Sequence, residues 1–296
     1  MIKRTLYFGN PAYLSVKHRQ LVVKLGEGEE PRTIPCEDVG MVILDHPQIT
    51  LSYEVMRLMM EYGAVLISCD KSHLPDGYML PISGHHLSTK HLAAQVDSSV
   101  PLVKQLWQQT VEAKIRNQAA VLDRYGYPAQ RLLVCAKNVS SGDSTNQEGQ
   151  AAAYYWPTLF GEGFTRAQEG DPPNGLLNYG YAILRGLVAR ALVSSGLHPS
   201  IGIHHHNQYN AYCLADDIME PYRPYVDILA YEIWMEDNLA SFLTKDMKAK
   251  LLGIATVDIR IGRGTSPLMV GLSQTTASFC QCLMGKKRKI EYPSMD

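Results

Sequence analysis

The stretch Met79-Leu80-Pro81-Ile82-Ser83-Gly84-His85-His86-Leu87 marks where the character of this chain changes. On its N-terminal side the apolar residues recur with the period of a strand. Ala12, Leu14 and Val16 alternate, and Leu21-Val22-Val23-Lys24-Leu25 follows after a tight turn. Val39-Gly40-Met41-Val42-Ile43-Leu44 and Ala64-Val65-Leu66-Ile67-Ser68 are short apolar runs of the kind a buried strand carries, and Met79–Ile82 reads as one more. One helix interrupts them: between Ser52 and Tyr62 the apolar residues fall at 55, 58, 59 and 62. On the C-terminal side helical spacing takes over. Helices are expected over 88–96, 100–125, 128–139, 144–166, 175–195, 209–219 and 265–284, with shorter pieces between 224 and 252. The expected fold is therefore α+β. A small β-rich N-terminal domain covers 1–84, and a larger all-α C-terminal domain covers 85–296 and carries the functional site.

Composition narrows the class. With 46% hydrophobic and 19% charged residues, the 296-residue chain can bury a sizeable core and is not globally disordered. No apolar run reaches the roughly 18 residues of a membrane span, and the start Met1-Ile2-Lys3-Arg4 lacks the apolar core of a secretory signal, so a cytoplasmic protein is expected. The six cysteines are scattered without a CxxC pair, which favours reduced thiols over disulfides or a zinc site. A net charge of −1 excludes a wholly basic nucleic-acid binder but not local patches. Lys104, Lys114, Arg116, Arg124, Arg131 and Lys137 outweigh Glu112 and Asp123 in one stretch, and Lys286-Lys287-Arg288-Lys289 is a second basic cluster. Either can be an ordinary solvated face.

Three distant segments carry metal-ligand chemistry. They are Gln147-Glu148-Gly149-Gln150, Ile201-Gly202-Ile203-His204-His205-His206-Asn207, and Asp216-Asp217-Ile218-Met219-Glu220-Pro221-Tyr222-Arg223-Pro224. Each places acids or imidazoles among apolar neighbours, where a carboxylate is costly unless it is paired or binds a cation. Glu148 is expected mid-helix; taken alone it reads as a solvated glutamate. Three adjacent histidines cannot all face one ion, so one ligand and two bystanders is the maximum. Asp217 and Glu220 share a helix face and repel each other unless a cation lies between them. Arg223 can supply that charge without any metal, as an Asp-Glu-Arg surface network.

The string Leu214-Ala215-Asp216-Asp217-Ile218-Met219-Glu220-Pro221-Tyr222-Arg223-Pro224-Tyr225-Val226-Asp227 closely resembles a signature of the CRISPR-associated adaptation integrase family. Glu148-Gly149 before an alanine run, Gly202-Ile203-His204-His205, and Asp171-Pro172-Pro173-Asn174 followed by Leu177–Arg185 are similar to it in the same order. The length and the wording around His205-His206-Asn207 look most like members that accompany type II systems. The resemblance implies metal ligands at Glu148, His205 and Glu220, with Asp217 a supporting acid, and Mg²⁺ or Mn²⁺ as the cation. It implies a homodimer formed through the β-rich domain, bridged by a small ferredoxin-like adaptation protein into a heterohexamer. It also implies double-stranded DNA as substrate, both foreign fragment and CRISPR repeat.

The implied reaction is a phosphodiester transesterification, with hydrolysis when water replaces the attacking 3′-hydroxyl. Arg223, Arg185 and Lys137 are candidate cations for the transition-state charge, and Lys104, Lys114, Arg116, Arg131, Lys137, Arg185 and Arg223 are candidate DNA contacts, chiefly to phosphates. Two other readings compete: a structure-selective metal-dependent nuclease, and a non-catalytic DNA-binding scaffold in which the acids only form ion pairs.

Overall fold

In the computed structural model, the structure describes residues 3–26, 29–82, 84–167, 172–236 and 242–295. The chain separates into two units, Met1–Gly84 and His85–Asp296.

The first unit is built from strands: its apolar residues alternate in 12–17 and 20–24 and run continuously in 39–44 and 65–67. Strands β1 (Arg4–Phe8), β5 (Val39–Leu44), β7 (Val65–Cys69) and β8 (Pro75–Met79) form one sheet in that order, with only β7–β8 antiparallel. A second sheet runs β4 (Arg32–Pro35), β3 (Gln20–Lys24), β2 (Ala12–Lys17), β6 (Ile49–Leu51). The turn between β2 and β3 places His18 and Arg19 at positive φ, the two-residue geometry that matches strand twist. Helix α1 (Tyr53–Glu61) buries Val55, Leu58 and Met59 against Leu14 and Leu21 of one sheet and Val42 and Leu66 of the other. Strand β8 ends where the sequence reading begins it. Asp70 accepts amides from Ser72 and Leu74 in the β7–β8 turn, which starts the returning strand at Pro75, and Pro81 has no N–H to extend it.

The second unit is mainly helical: α2 (Ser88–Val96), α3 (Val100–Arg124), α4 (Gln130–Lys137), α5 (Gln147–Phe160), α6 (Asn174–Ser194), α7 (Cys213–Met219), α8 (Arg223–Glu236), α9 (Lys245–Leu252) and α10 (Leu268–Leu283). It is not all-α. Strands β9 (Asp258–Ile261) and β10 (Gly264–Pro267) make an antiparallel hairpin, and the last helix starts at Leu268 rather than 265. Ile259 and Ile261 are buried while Asp258 and Arg260 are exposed, the period-two pattern of a strand, too short to stand out beside helices.

Three further boundaries differ from expectation, each for a local chemical reason. Helix α5 is shorter than 144–166. Asn146 at φ 52° is its cap, and Gly161 at φ 101° ends it. Helix α7 begins at Cys213 rather than 209, because the Asn207 and Asn210 side chains accept the amides of Tyr209 and Tyr212 in tight turns. Asn174 does not cap α6; its side chain turns back to the Ala167 amide and the Thr165 carbonyl. Asp171 lies outside the described residues. No disulfide joins the cysteines, and no helix of the described residues is long and apolar enough to cross a membrane.

Candidate active site

Four carboxylates on one stretch, Asp216, Asp217, Glu220 and Asp227, are buried. Burial of that many acids in so short a segment is tolerated only where each has a partner of opposite charge or several donors. The partners define the site.

Asp217 lies at the middle of α7 and is completely inaccessible. Its Oδ2 accepts the amides of Ile203 at 2.7 Å and His204 at 3.0 Å, and its Oδ1 accepts the His205 amide at 3.2 Å. The His205 ring approaches the same Oδ1 through Nδ1 at 2.5 Å. One carboxylate thus folds the whole 203–205 loop around itself. Gly202 is required there: a Cβ would lie 2.3 Å from the His205 carbonyl oxygen and 2.8 Å from Asp217 Oδ2. The contact with Asp217 fixes the imidazole with Nδ1 toward the acid and Nε2 turned away from it, the arrangement by which a carboxylate orients a ligating histidine. It also raises the His205 pKa, an effect that burial opposes. The three histidines are therefore distinct. His204 stacks on Trp107 with ring centroids 4.0 Å apart and planes 1° from parallel, and His206 is exposed.

Glu148 is not mid-helix. It is the second residue of α5, and its amide and that of Gln147 are held by Asp143 at 3.0 and 2.8 Å. Its carboxylate stands in the first helical turn, where the helix dipole favours negative charge. Glu220 follows α7 in a single 3₁₀ turn, Glu220–Tyr222, before α8 continues from Arg223. Pro221 removes one amide from this turn, and Asn117 of α3 donates to the Pro221 carbonyl at 2.7 Å.

Glu148 and Glu220 meet at Lys114. Its ammonium lies 2.5 Å from Glu148 Oε1 and 2.6 Å from Glu220 Oε2, with only 13% of its side chain exposed. Arg223 Nε reaches the other Glu220 oxygen at 3.0 Å, and its guanidinium lies 4.7 Å from the Tyr181 ring centroid. These two cations hold the Glu220 carboxyl below the usual range against the opposing effect of burial. The geometry at Glu220 is still incomplete. Oε2 is buried, and the close approach of Lys114 is off the direction of a hydrogen bond, so that oxygen keeps an undirected lone pair.

Among the described residues no three His, Cys, Asp or Glu side chains converge into a ready metal cage. The expected Glu148–His205–Glu220 triad is represented by two carboxylates sharing a cation, with His205 near enough to feel the Glu220 charge. The donor set nonetheless fits a divalent ion. It offers two oxygens already gathered around one positive charge, one of them an orphaned buried acceptor, and an imidazole whose outer nitrogen is free of Asp217.

Lys114 is brought to Glu148 and Glu220 rather than to a common face with Lys104 and Arg116, because one helix cannot present all three together. Lys114 lies two turns after Trp107, so both face the site. Arg116 turns elsewhere, pairs with Glu112 at 2.7 Å and lines a separate cavity of about 880 Å³ with Arg124, Leu133, Tyr225, Glu232 and Arg260. The heptad spacing from Trp107 to Lys114 was the available signal. Lys104 and Lys137 are exposed, and the exposed Arg131 lies over the Tyr154 ring. Arg185 Nε pairs with Asp216 at 2.6 Å, and Asn210 donates to the other Asp216 oxygen. Asp227 accepts from the hydroxyls of Tyr155 and Tyr181, and burial raises its pKa to about 6.

Residues 6–253 match the family model described as CRISPR associated protein Cas1. The chain belongs to the Cas1 family. The CRISPR-associated endonuclease Cas1 of Neisseria meningitidis serogroup C is 37% identical over 291 residues, which cover 98% of this chain and 95% of that protein. Two solved structures share the fold. A casposase bound to integration product has a TM-score of 0.80 at 22% identity and covers 98% of this chain and 92% of that one. A chain of a Cas6-RT-Cas1–Cas2 complex has a TM-score of 0.73 at 19% identity and covers 97% of this chain and 36% of that one. The family match spans both the β-rich unit and the segments of the second unit that carry Glu148, His205 and Glu220.

Proposed function

We propose that this chain is a divalent-metal-dependent DNA transesterase that joins the 3′-hydroxyl ends of DNA fragments into a CRISPR repeat array, the integration step of CRISPR adaptation. The observation that carries the chemistry is the pair Glu148 and Glu220 drawn onto a single positive charge beside a histidine oriented by Asp217. Membership of the Cas1 family supports the DNA substrate, as does the shared fold with a casposase bound to integration product.

Glu148, Glu220 and the Nε2 of His205 would hold Mg²⁺ or Mn²⁺, the imidazole favouring Mn²⁺. When bound, the cation polarises the scissile phosphate and steadies the leaving oxygen. The chain's own residues do the rest. Asp217 keeps the His205 ring in one tautomer and one orientation. Arg223, anchored on Glu220, and Arg185, anchored on Asp216, add positive charge against which a phosphorane-like transition state is stabilised. If water replaces the DNA hydroxyl, the same groups hydrolyse the strand, which accounts for an endonuclease activity. Lys104, Arg131 and Lys137 supply phosphate contacts that bind fragments of any sequence and weaken with salt. We further propose a homodimer through the β-rich unit and a heterohexamer with a small ferredoxin-like adaptation protein, acting in the cytoplasm. The fold shared with a chain of a Cas6-RT-Cas1–Cas2 complex supports the partner class.

The test is strand transfer of a short labelled duplex into a repeat-bearing plasmid, with the purified adaptation partner and Mn²⁺ or Mg²⁺, comparing wild type with Glu220→Ala. Metal-dependent joining that the variant loses supports the reading. Cleavage without joining, lost in the variant, points to a nuclease. Equal activity of the two proteins would reduce the carboxylates to a structural ion-pair network.

A further inference from the structure

The placement of Lys114 raises a question about how a cation enters this site. An ammonium held within 2.6 Å of two carboxylates occupies their shared charge field. A divalent ion that binds both Glu148 and Glu220 brings a second, larger positive charge into the same space. The two cannot sit side by side at contact distance without strong repulsion in a buried site. Lys114 has the means to leave. Its four-carbon stem is flexible, and a lysine ammonium is strongly hydrated once it reaches water. Arg223, a planar guanidinium packed over the Tyr181 ring beside the other Glu220 oxygen, touches only one of the two carboxylates.

We propose that Lys114 is the resident counter-ion of the Glu148–Glu220 pair, and that metal entry proceeds by exchange with its ammonium. The inference rests on the metal-dependent reading above. In the metal-free protein Lys114 neutralises two acids that would otherwise repel each other and holds them close together. The preformed site therefore exists at a cost in metal affinity, because each ion that binds must first displace a paired ammonium. Lys114 is a positioning residue and a brake on metal loading. No covalent step is involved, and the proton stays on the amine as it moves to solvent.

The experiment is calorimetric titration of MnCl₂ into the full-length, chelator-treated protein at pH 7.5 without DNA, for wild type, Lys114→Met, Lys114→Arg and Glu220→Gln. Methionine keeps the length of the stem and removes the charge. Lys114→Met is expected to bind Mn²⁺ at least about tenfold more tightly than wild type, or about 1.4 kcal/mol. It should also melt at lower temperature without metal and show a larger Mn²⁺-induced rise. Lys114→Arg, which restores the positive charge, should return affinity to within about threefold of wild type, and Glu220→Gln should bind poorly. Equal or weaker binding by Lys114→Met, with Glu220→Gln still impaired, overturns the exchange while leaving the metal site standing. Absence of Mn²⁺ binding in all four proteins overturns both readings.

A measurement on the wild-type protein keeps the test open if Lys114→Met does not fold. Acetylation of lysines by an activated ester, read by mass spectrometry, should leave Lys114 protected without metal and modify it at saturating Mn²⁺. Unchanged protection in a protein that binds Mn²⁺ overturns the proposal.

Discussion

Asp217 accepts three backbone amides and the His205 ring, so its lone pairs are committed to holding a loop. Asp217→Asn retains one acceptor oxygen but presents an amide where a carboxylate is needed. It should destabilise the fold by roughly 2–4 kcal/mol in urea unfolding, because buried amides lose a charged acceptor. It should also weaken Mn²⁺ binding by about 10–100-fold, the usual effect of losing a group that orients a ligating histidine. A stable variant with unchanged Mn²⁺ affinity would disprove this role. Asp227 gives a pH signature. Burial raises its pKa from 3.8 to about 6, so the folded state binds a proton that the unfolded chain releases. Its contribution is fully present below about pH 4 and is lost as pH rises through about 6, a slope on the order of 3 kcal/mol in total. Asp227→Asn should remove that slope from stability measured between pH 4 and 7. The acids were legible in the sequence as costly residues in apolar company. Which acid grips a loop, which meets a lysine and which meets tyrosines was not, because their partners are many residues away.

At the scale of elements, the start of α5 aims Glu148. Asp143 takes the first two helical amides and Asn146 takes that of Gly149. Asp143→Ala should cost about 1–2 kcal/mol of stability and lower strand transfer more than DNA affinity, since it loosens Glu148 without touching exposed cations. An equal loss of binding and activity would argue that the helix start serves DNA contact instead. The same competition between side chains and backbone explains why periodicity overran this helix. Apolar residues recur as far as Phe164, but Asn146 and Gly161 set the ends through their own φ angles. Likewise β9 and β10 are four residues each and were absorbed into helical surroundings.

At the scale of the molecule, Met1–Gly84 has a core of its own, from Phe8 and Leu14 through Val42 to Met59 and Leu66. A fragment of residues 1–84 should therefore unfold cooperatively with a sigmoidal melt, despite the small burial available at that size. Sedimentation equilibrium of the same fragment tests the dimer expectation: a dimer supports the β-rich unit as the interface, and a folded monomer moves the interface elsewhere.

What the sequence determined by itself was the local pattern. Alternation makes strands of 12–17 and 20–24, a continuous apolar run makes the buried strand 39–44, and the 3.6 period makes helices of 100–124 and 174–194, because side-chain direction follows from backbone geometry alone. It also exposed Glu148, Asp217 and Glu220 as acids in search of a cation. Tertiary structure decided what answers that demand. Helix α3 turns Lys114 toward the site and Arg116 away from it, the His205 ring is the imidazole that meets Asp217, and Arg223 closes on Glu220. Charge pairing acts over a few ångströms in space and is indifferent to separation along the chain. A lysine thirty-four residues from one carboxylate and farther still from the other becomes their common partner only once three helices have packed.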